Sequence, residues 1–297
     1  MEDYEFDFMN YMRDKRKASI NTLNAYKIDI SKFSEYIKDN CGLSLTDVNK
    51  TTILNYLMDL QSNGRSHATI SRTLASIRSF YKYLTNYGYI TNDPAYELRS
   101  FKSIRKSPQG LSRFQIEILL SMPELKKIKG YRDKAMLEVM YATGMRVSDL
   151  INLKLSDVNL EVGYILSHSG TKEHIIPIYA LARDSVKAYL DKRKEIPNSD
   201  KSEILFLNLS GQPLSRQGVW KMIKYYHKKS GIGVDITPNS LRNSFAIHML
   251  EGGADIKTVQ DMLGHTEIAS TKAYEQALKD KMSDEYIKCH PRAKYYR

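Results

Sequence analysis

From Tyr4 to about Tyr89 the apolar positions recur at helical spacing, with few chain-breaking residues inside the segments. Leu23, Tyr26, Ile30, Phe33 and Ile37 follow one another at three- and four-residue steps, which puts them on one stripe of a single helix. A second helical segment follows Thr46, which with Asp47 reads as its N-cap region, and a third runs through Ile70, Leu74, Ile77 and Tyr81. Residues 1–90 are therefore expected to form a small helical bundle. In the stretch TNDPAYELRSFKSIRKSPQGLS, Pro94, Pro108 and Gly110 interrupt any helix, and residues 91–110 read as an interdomain linker. Helical periodicity resumes over 112–122 and 131–141, breaks at Thr143 and Gly144, and restarts from Arg146. Around 163–179 the period changes. YILS and EHIIPIY are short, rich in β-branched and aromatic residues, and separated by the turn-forming HSGTK, which predicts a β-hairpin with Lys172 at or beside its tip. Helices return with starts near Arg183, Ser215, Thr237 and Asp255, and Gly264 stands where a helix C-terminus is expected. The fold expected is mainly α, with a helical bundle over 1–90 and a mixed but mostly helical domain with a small β-hairpin or sheet over 111–282. A short tail, 283–297, follows.

Composition agrees with two domains, since 297 residues are too many for one typical compact core. The 42% hydrophobic and 27% charged residues are ordinary for a globular chain, and no apolar run approaches the roughly 18 residues that a membrane span needs. The N-terminus begins with acids and lacks the basic and apolar regions of a signal peptide, so a cytoplasmic location is expected. Cys41 and Cys289 sit in no CxxC or Cys/His spacing, which gives no support to a disulfide framework or a zinc site; no metal and no cofactor are expected. Forty-five Lys and Arg against 34 Asp and Glu leave a charge of +11, which favours a polyanionic partner through counterion release. The third helical segment carries Arg65, His67, Ser71, Arg72 and Arg78 away from its core stripe, placed either against phosphates or on a solvated face. Arg99, Lys102, Arg105 and Lys106 cluster in the linker without balancing acids, as for a segment that crosses a nucleic-acid backbone.

Three stretches hold residues suited to chemistry: ATGMRVSDL, NSLRNSFAIHML and MLGHTEIASTKAYEQ. Singly, each residue has a plain structural use. Arg146 and Asp149 are three apart on a helix and can pair, Arg242 can pair with any carboxylate, His265 can cap a helix, and Tyr274 is one of 21 tyrosines. Jointly they stand in a fixed order: Tyr-Ala-Thr-Gly-x-Arg, a hairpin Lys, an Arg before an apolar helix, Leu-Gly-His, and a Tyr nine residues after that His. That ordered set resembles the tyrosine recombinases, specifically their Xer and integrase branch. The likeness runs over almost the whole chain, because TLNAYKIDISKFSEYI and TISRTLASIRSFYKYL look like the family's N-terminal core-binding domain, and QGLSRFQIEILL looks like the opening of its catalytic domain.

The resemblance implies an enzyme that cuts one DNA strand at a time through a 3′-phosphotyrosine, leaving a free 5′-hydroxyl, with Tyr274 as nucleophile. Arg146 and Arg242 then clamp the scissile phosphate, Lys172 matches the general acid for the departing 5′-oxygen, His265 donates to the phosphate, and Asp149 matches a supporting acidic position. The family's His-x-x-Arg motif reads Asn239-Ser240-Leu241-Arg242 here, and the residue after Arg242 is Asn243. An amide cannot accept the phenolic proton, and His248, six residues past Arg242, reads as a partly buried structural His. Three explanations stay open at this point: water or another residue takes the proton, cleavage is slower, or the chain is a catalytically silent DNA-binding protein of this fold. A type IB topoisomerase shares the chemistry, but the N-terminal likeness disfavours it. The implied partners are double-stranded DNA with paired half-sites and a homotetramer or heterotetramer, with the tail docking in trans and no membrane. The resemblance leaves open a DNA-translocase activator, and also the choice between chromosome resolution and mobile-element integration.

Overall fold

Short hydroxyl, carboxamide and carboxylate side chains start most of the described α-helices, each by accepting a backbone N–H that the first turn leaves without a partner. The structure is a computed structural model that describes residues 3–99, 108–168 and 173–264. It divides into two units, residues 1–105 and 106–297.

In the first unit, α1 (Tyr4–Asp14) is capped by Asp3, α2 (Ile20–Cys41) by Ser19, α3 (Lys50–Ser62) by Asn49 and α4 (His67–Asn86) by Ser66. The cap of α3 is thus Asn49 and not the Thr46-Asp47 pair. Ser44 Oγ hydrogen bonds to both Thr46 and Asp47, which commits those side chains to the preceding turn. The core is aromatic. Phe8 meets Phe80 edge-on at 5.3 Å between centroids, and Phe33 meets Tyr56 at 5.1 Å. Fully buried Tyr81 satisfies its hydroxyl by donating to the Leu45 carbonyl at 3.1 Å. The chain after α4, read above as linker from residue 91, begins with a packed turn. Asp93 accepts the Ala95 N–H at 2.8 Å, and Ala95 and Leu98 are buried in this core. Pro94 stops a helix without keeping the chain off the hydrophobic surface.

The second unit starts with α5 (Arg113–Ser121), where Ser112 and Gln115 form a reciprocal capping box. Its centre is α6 (Ile128–Thr143), buried on nearly every side between α8 (Ala180–Arg193) and α10 (Pro238–Glu251). α7 (Val147–Asn152) and a 3-10 turn (Leu155–Asp157) lead into a three-stranded antiparallel sheet, β1 (Val158–Asn159), β2 (Tyr164–Ser167) and β3 (His174–Pro177), in the order β1-β2-β3. The register pairs Ile165 with Ile176, so the expected hairpin is present, with β1 added at its edge. α9 (Arg216–Ser230), α10 and α11 (Ile256–Leu263) start at the caps expected for them, Ser215, Thr237 and Asp255, and Gly264 closes α11 with φ +61°. α8 starts at Ala180, ahead of Arg183, and has no side-chain cap. The result is the mainly helical fold with one small sheet that the pattern predicts. No helix among the described residues is long and apolar enough to cross a membrane.

Buried arginines tie down the irregular backbone of this unit. Arg193 donates to the carbonyls of Ser199, Ser202, Ile204 and Leu205 at 2.8–3.1 Å, and Arg132 pairs with Asp133 while reaching the Leu207 carbonyl at 3.1 Å. Each guanidinium thereby supplies donors to carbonyls that no strand or helix would satisfy.

Candidate active site

Gly144 ends α6 in the left-handed region, φ +61°, and a side chain there would collide with Phe245 of α10 and Leu263 of α11. The turn is tied internally by Thr143, whose hydroxyl donates to the Val139 carbonyl at 2.7 Å and accepts the Met145 N–H at 3.2 Å. Met145 is buried, and Arg146 emerges as the exposed N-cap residue of α7.

Arg242 lies on α10, one turn past the Thr237 cap, and is only 7% exposed. Its Nη1 donates to the Gly144 carbonyl at 2.6 Å and its Nη2 to the Leu263 carbonyl at 2.8 Å. One guanidinium therefore joins three stretches that are far apart in sequence: the turn before Arg146, the first turns of α10, and the end of α11. His265 stands two residues after Leu263 in the sequence. The planar fork is fixed by two backbone acceptors, an arrangement that a flexible ammonium could not reproduce.

His265, Tyr274 and Lys172 lie outside the described residues. Asn239 is exposed in the first turn of α10, three residues before Arg242. Asn243 donates to the Gln109 carbonyl at 3.3 Å, and Ser244 accepts the Leu111 N–H at 2.7 Å, so the segment entering the second unit is fastened along α10. His248 is half-buried with its Nδ1 2.9 Å from the Tyr141 hydroxyl. Asp149 sits on α7; its Oδ1 accepts from Ser148 at 3.2 Å, and its Oδ2 is shielded from solvent without a hydrogen-bond partner.

That carboxylate lines a cavity of about 230 Å³ together with Asn152, Asp157 and His168. His168 was not singled out from the sequence. Its Nε2 lies 2.9 Å from Asp157 Oδ1, and this hydrogen bond holds the imidazole pKa above its ordinary value. Asp157 also accepts the Lys154 N–H at 2.8 Å, so the end of β2 is tied to the 3-10 turn. The only sequence hint was an Asp and a His flanking a predicted strand, which is too common to signal a contact. Elsewhere in the unit, Tyr179 donates to buried Glu138, and burial together with that bond pushes the phenol far above its ordinary pKa.

In the first unit, Arg65 is exposed just before α4, and Arg72 and Arg78 are exposed on α4 itself. Arg72, Ala75, Arg78 and Lys82 are all solvent-facing at steps of three, three and four residues, which puts three cations along one face of one helix. Arg99 is exposed after the Ala95–Leu98 turn, and Lys102 and Arg105 lie outside the described residues.

Residues 109–281 match the phage integrase family, and residues 7–88 match the phage integrase N-terminal SAM-like domain. The chain belongs to the phage integrase family. Among curated relatives, this recombinase is 40% identical to the tyrosine recombinase XerD of Oceanobacillus iheyensis, over 97% of this chain and 98% of that protein. It is 38% identical to the tyrosine recombinase XerD of Staphylococcus aureus, over 99% and 100% respectively. Its fold matches that of the XerH site-specific recombinase bound to a palindromic difH substrate, with a TM-score of 0.76 at 22% identity, covering 95% of this chain and 84% of that one. A lambda integrase dimer bound to a COC′ core site gives a TM-score of 0.73 at 22% identity, covering 92% and 94%. This protein is thus an Xer-like tyrosine recombinase, an enzyme of site-specific DNA recombination. The reading of a silent or weakened relative has no support over it.

Proposed function

We propose that Tyr274 attacks a backbone phosphorus of duplex DNA, forming a 3′-phosphotyrosine as the bond to the 5′-oxygen breaks. The observation that carries this reading is the position of Arg242, whose two backbone acceptors lie two residues before Arg146 and two residues before His265. Arg146 and Arg242 neutralise the non-bridging oxygens as charge builds on the five-coordinate phosphorus, in the way that fixed donors lower such barriers. His265 donates a further hydrogen bond, and Lys172 gives its proton to the departing 5′-oxygen. Asp149, beside Arg146 on α7, supports that end of the site. Rejoining is the reverse attack by a 5′-hydroxyl, with Tyr274 as leaving group.

A phenol with an ordinary pKa near 10 needs an acceptor for its proton. Asn239 cannot serve, so water or another group takes it. Arg65, Arg72, Arg78, Arg99, Lys102 and Arg105 contact the DNA. Residues 1–90 act as the core-binding domain, 91–110 as a linker, 111–282 as the catalytic domain, and 283–297 docks on a neighbouring subunit. Two half-sites on double-stranded DNA each hold one protomer, and two such duplexes meet in a tetramer, in the cytoplasm, with a DNA translocase as a further partner.

The test uses a duplex selected for binding from a random-sequence pool. Arg242→Lys keeps the charge but cannot bridge both carbonyls, and cleavage should fall roughly 10²-fold or more while DNA affinity stays within a few-fold. Cleavage by Arg242→Lys at the wild-type rate would overturn the assignment. Asn239→His should raise cleavage at neutral pH by up to roughly 10²–10⁴-fold, and no change would remove the missing acceptor from the account.

A further inference from the structure

Asp29 is a carboxylate inside the first unit's core, 4% exposed, on the side of α2 that packs against α4. Its Oδ1 accepts from the Thr73 hydroxyl at 3.2 Å and its Oδ2 from the Ser76 hydroxyl at 2.8 Å, and Oδ1 forms an ion pair with Arg72 Nη2 at 3.0 Å. Thr73 and Ser76 are buried with it on α4. Bridging two helices through two hydroxyls does not require a charge, because an asparagine accepts from one hydroxyl through its oxygen, donates to the other through its NH2, and avoids the cost of burying an anion. What a carboxylate adds is a hold on a cation, and the cation here is Arg72.

Arg72 is the opposite kind of residue. Its side chain is 44% exposed, although one nitrogen of the guanidinium, Nη2, is paired with a buried anion. A guanidinium carries five N–H donors in a rigid plane, so anchoring one nitrogen restricts the directions open to the others. Arg72 lies on the α4 face that also carries exposed Arg78 and Lys82. A side chain ordered before binding loses less freedom on binding, so its contact contributes more to affinity.

We infer that Asp29 is a positioning residue for DNA binding, holding the Arg72 guanidinium ready for a pair of acceptors on duplex DNA, either two phosphate oxygens or the O6 and N7 of one guanine. The inference rests on the reading that α4 lies against DNA.

The experiment measures affinity of the full chain for the selected duplex. Arg72→Lys keeps a counter-charge for Asp29 but loses the fork, and should weaken binding roughly tenfold. Asp29→Asn keeps both hydroxyl contacts and should weaken binding about as much, with the double variant no weaker than either single one, as for residues acting as a unit. Arg78→Ala, away from Asp29, should weaken binding independently. In the free wild type, nitrogen relaxation should show the Arg72 Nε–H rigid and that of Arg78 mobile, a measurement that needs no folded variant. Wild-type affinity in Arg72→Lys or in folded Asp29→Asn, or an Arg72 side chain as mobile as Arg78, overturns the inference. If Arg72→Lys and Arg78→Ala both bind like the wild type, the reading of α4 itself fails. Replacing guanines by 7-deazaguanine separates the acceptors: lost affinity in the wild type but not in Arg72→Lys identifies guanine, and no loss in either identifies phosphate.

Discussion

Among the described residues of the unit spanning 1–105 the buried polar side chains are Asp29, Thr52, Thr73 and Ser76, whereas in the unit spanning 106–297 they include Arg132, Asp133, Glu138, Asp157, Arg193 and Arg242. The two units differ in how much of their backbone is regular. The described residues of the first form four helices joined by short turns, and helices satisfy their own carbonyls. The second threads irregular chain between α6, the sheet, α8 and α10, and its arginines end on carbonyls of such chain, at Ser199, Ser202, Ile204, Leu205 and Leu207, or at helix ends, at Gly144 and Leu263. Arg242 therefore has two tasks. It holds the polypeptide that frames the site, and it stands where the scissile phosphate is proposed to lie.

That contrast can be broken by removing what holds each unit. Phe80→Ala takes a fully buried ring from the aromatic core of the first unit and should cost about 3–5 kcal/mol of its stability in urea unfolding followed by circular dichroism. Arg193→Met should cost roughly 3 kcal/mol in the second unit, because four carbonyls lose a charged donor. Trp220, the single tryptophan of the chain, lies on α9, so its fluorescence follows the second unit. The Trp220 transition should move in Arg193→Met and stay in place in Phe80→Ala. A transition that moves equally in both variants would show that the two units unfold together.

The smallest expected effect is electrostatic. The Asp157 hydrogen bond raises the His168 pKa, and the imidazole is half-exposed, so the contribution is small and screened. A group whose folded pKa is raised stabilises fully below its unfolded value, and that stabilisation is lost as pH rises through the folded value. The contact should therefore fade above the ordinary imidazole range. In a proton NMR titration, Asp157→Asn should lower the His168 midpoint; an unchanged midpoint would contradict the coupling.

Much of this was legible because helix ends are local chemistry. Ser112, Ser215, Thr237, Asp255 and Gly264 mark their boundaries through contacts within four residues, and a sequence displays such contacts. α8 begins without a side-chain cap, which left no signal for its start, and β1 is only two residues long, too short for a period to show. Ala95 and Leu98 looked like linker because Pro94 and the basic residues after them dominate the local composition. At the site, Arg242 was marked by its motif, but its backbone acceptors lie 98 and 21 residues away and carry no sequence signature. The Asp29–Arg72 pair was hidden for the same reason, since a buried acid on an apolar stripe reads as an exposed one until the facing helix is in place.

The central claim is that Tyr274 forms a covalent bond to DNA. A duplex nicked beside the cleavage position, so that the released fragment diffuses away, should trap wild-type protein as a denaturation-resistant adduct, map to Tyr274 by peptide mass, and trap no Tyr274→Phe protein. Binding without any adduct, or an adduct that persists in Tyr274→Phe, would contradict it.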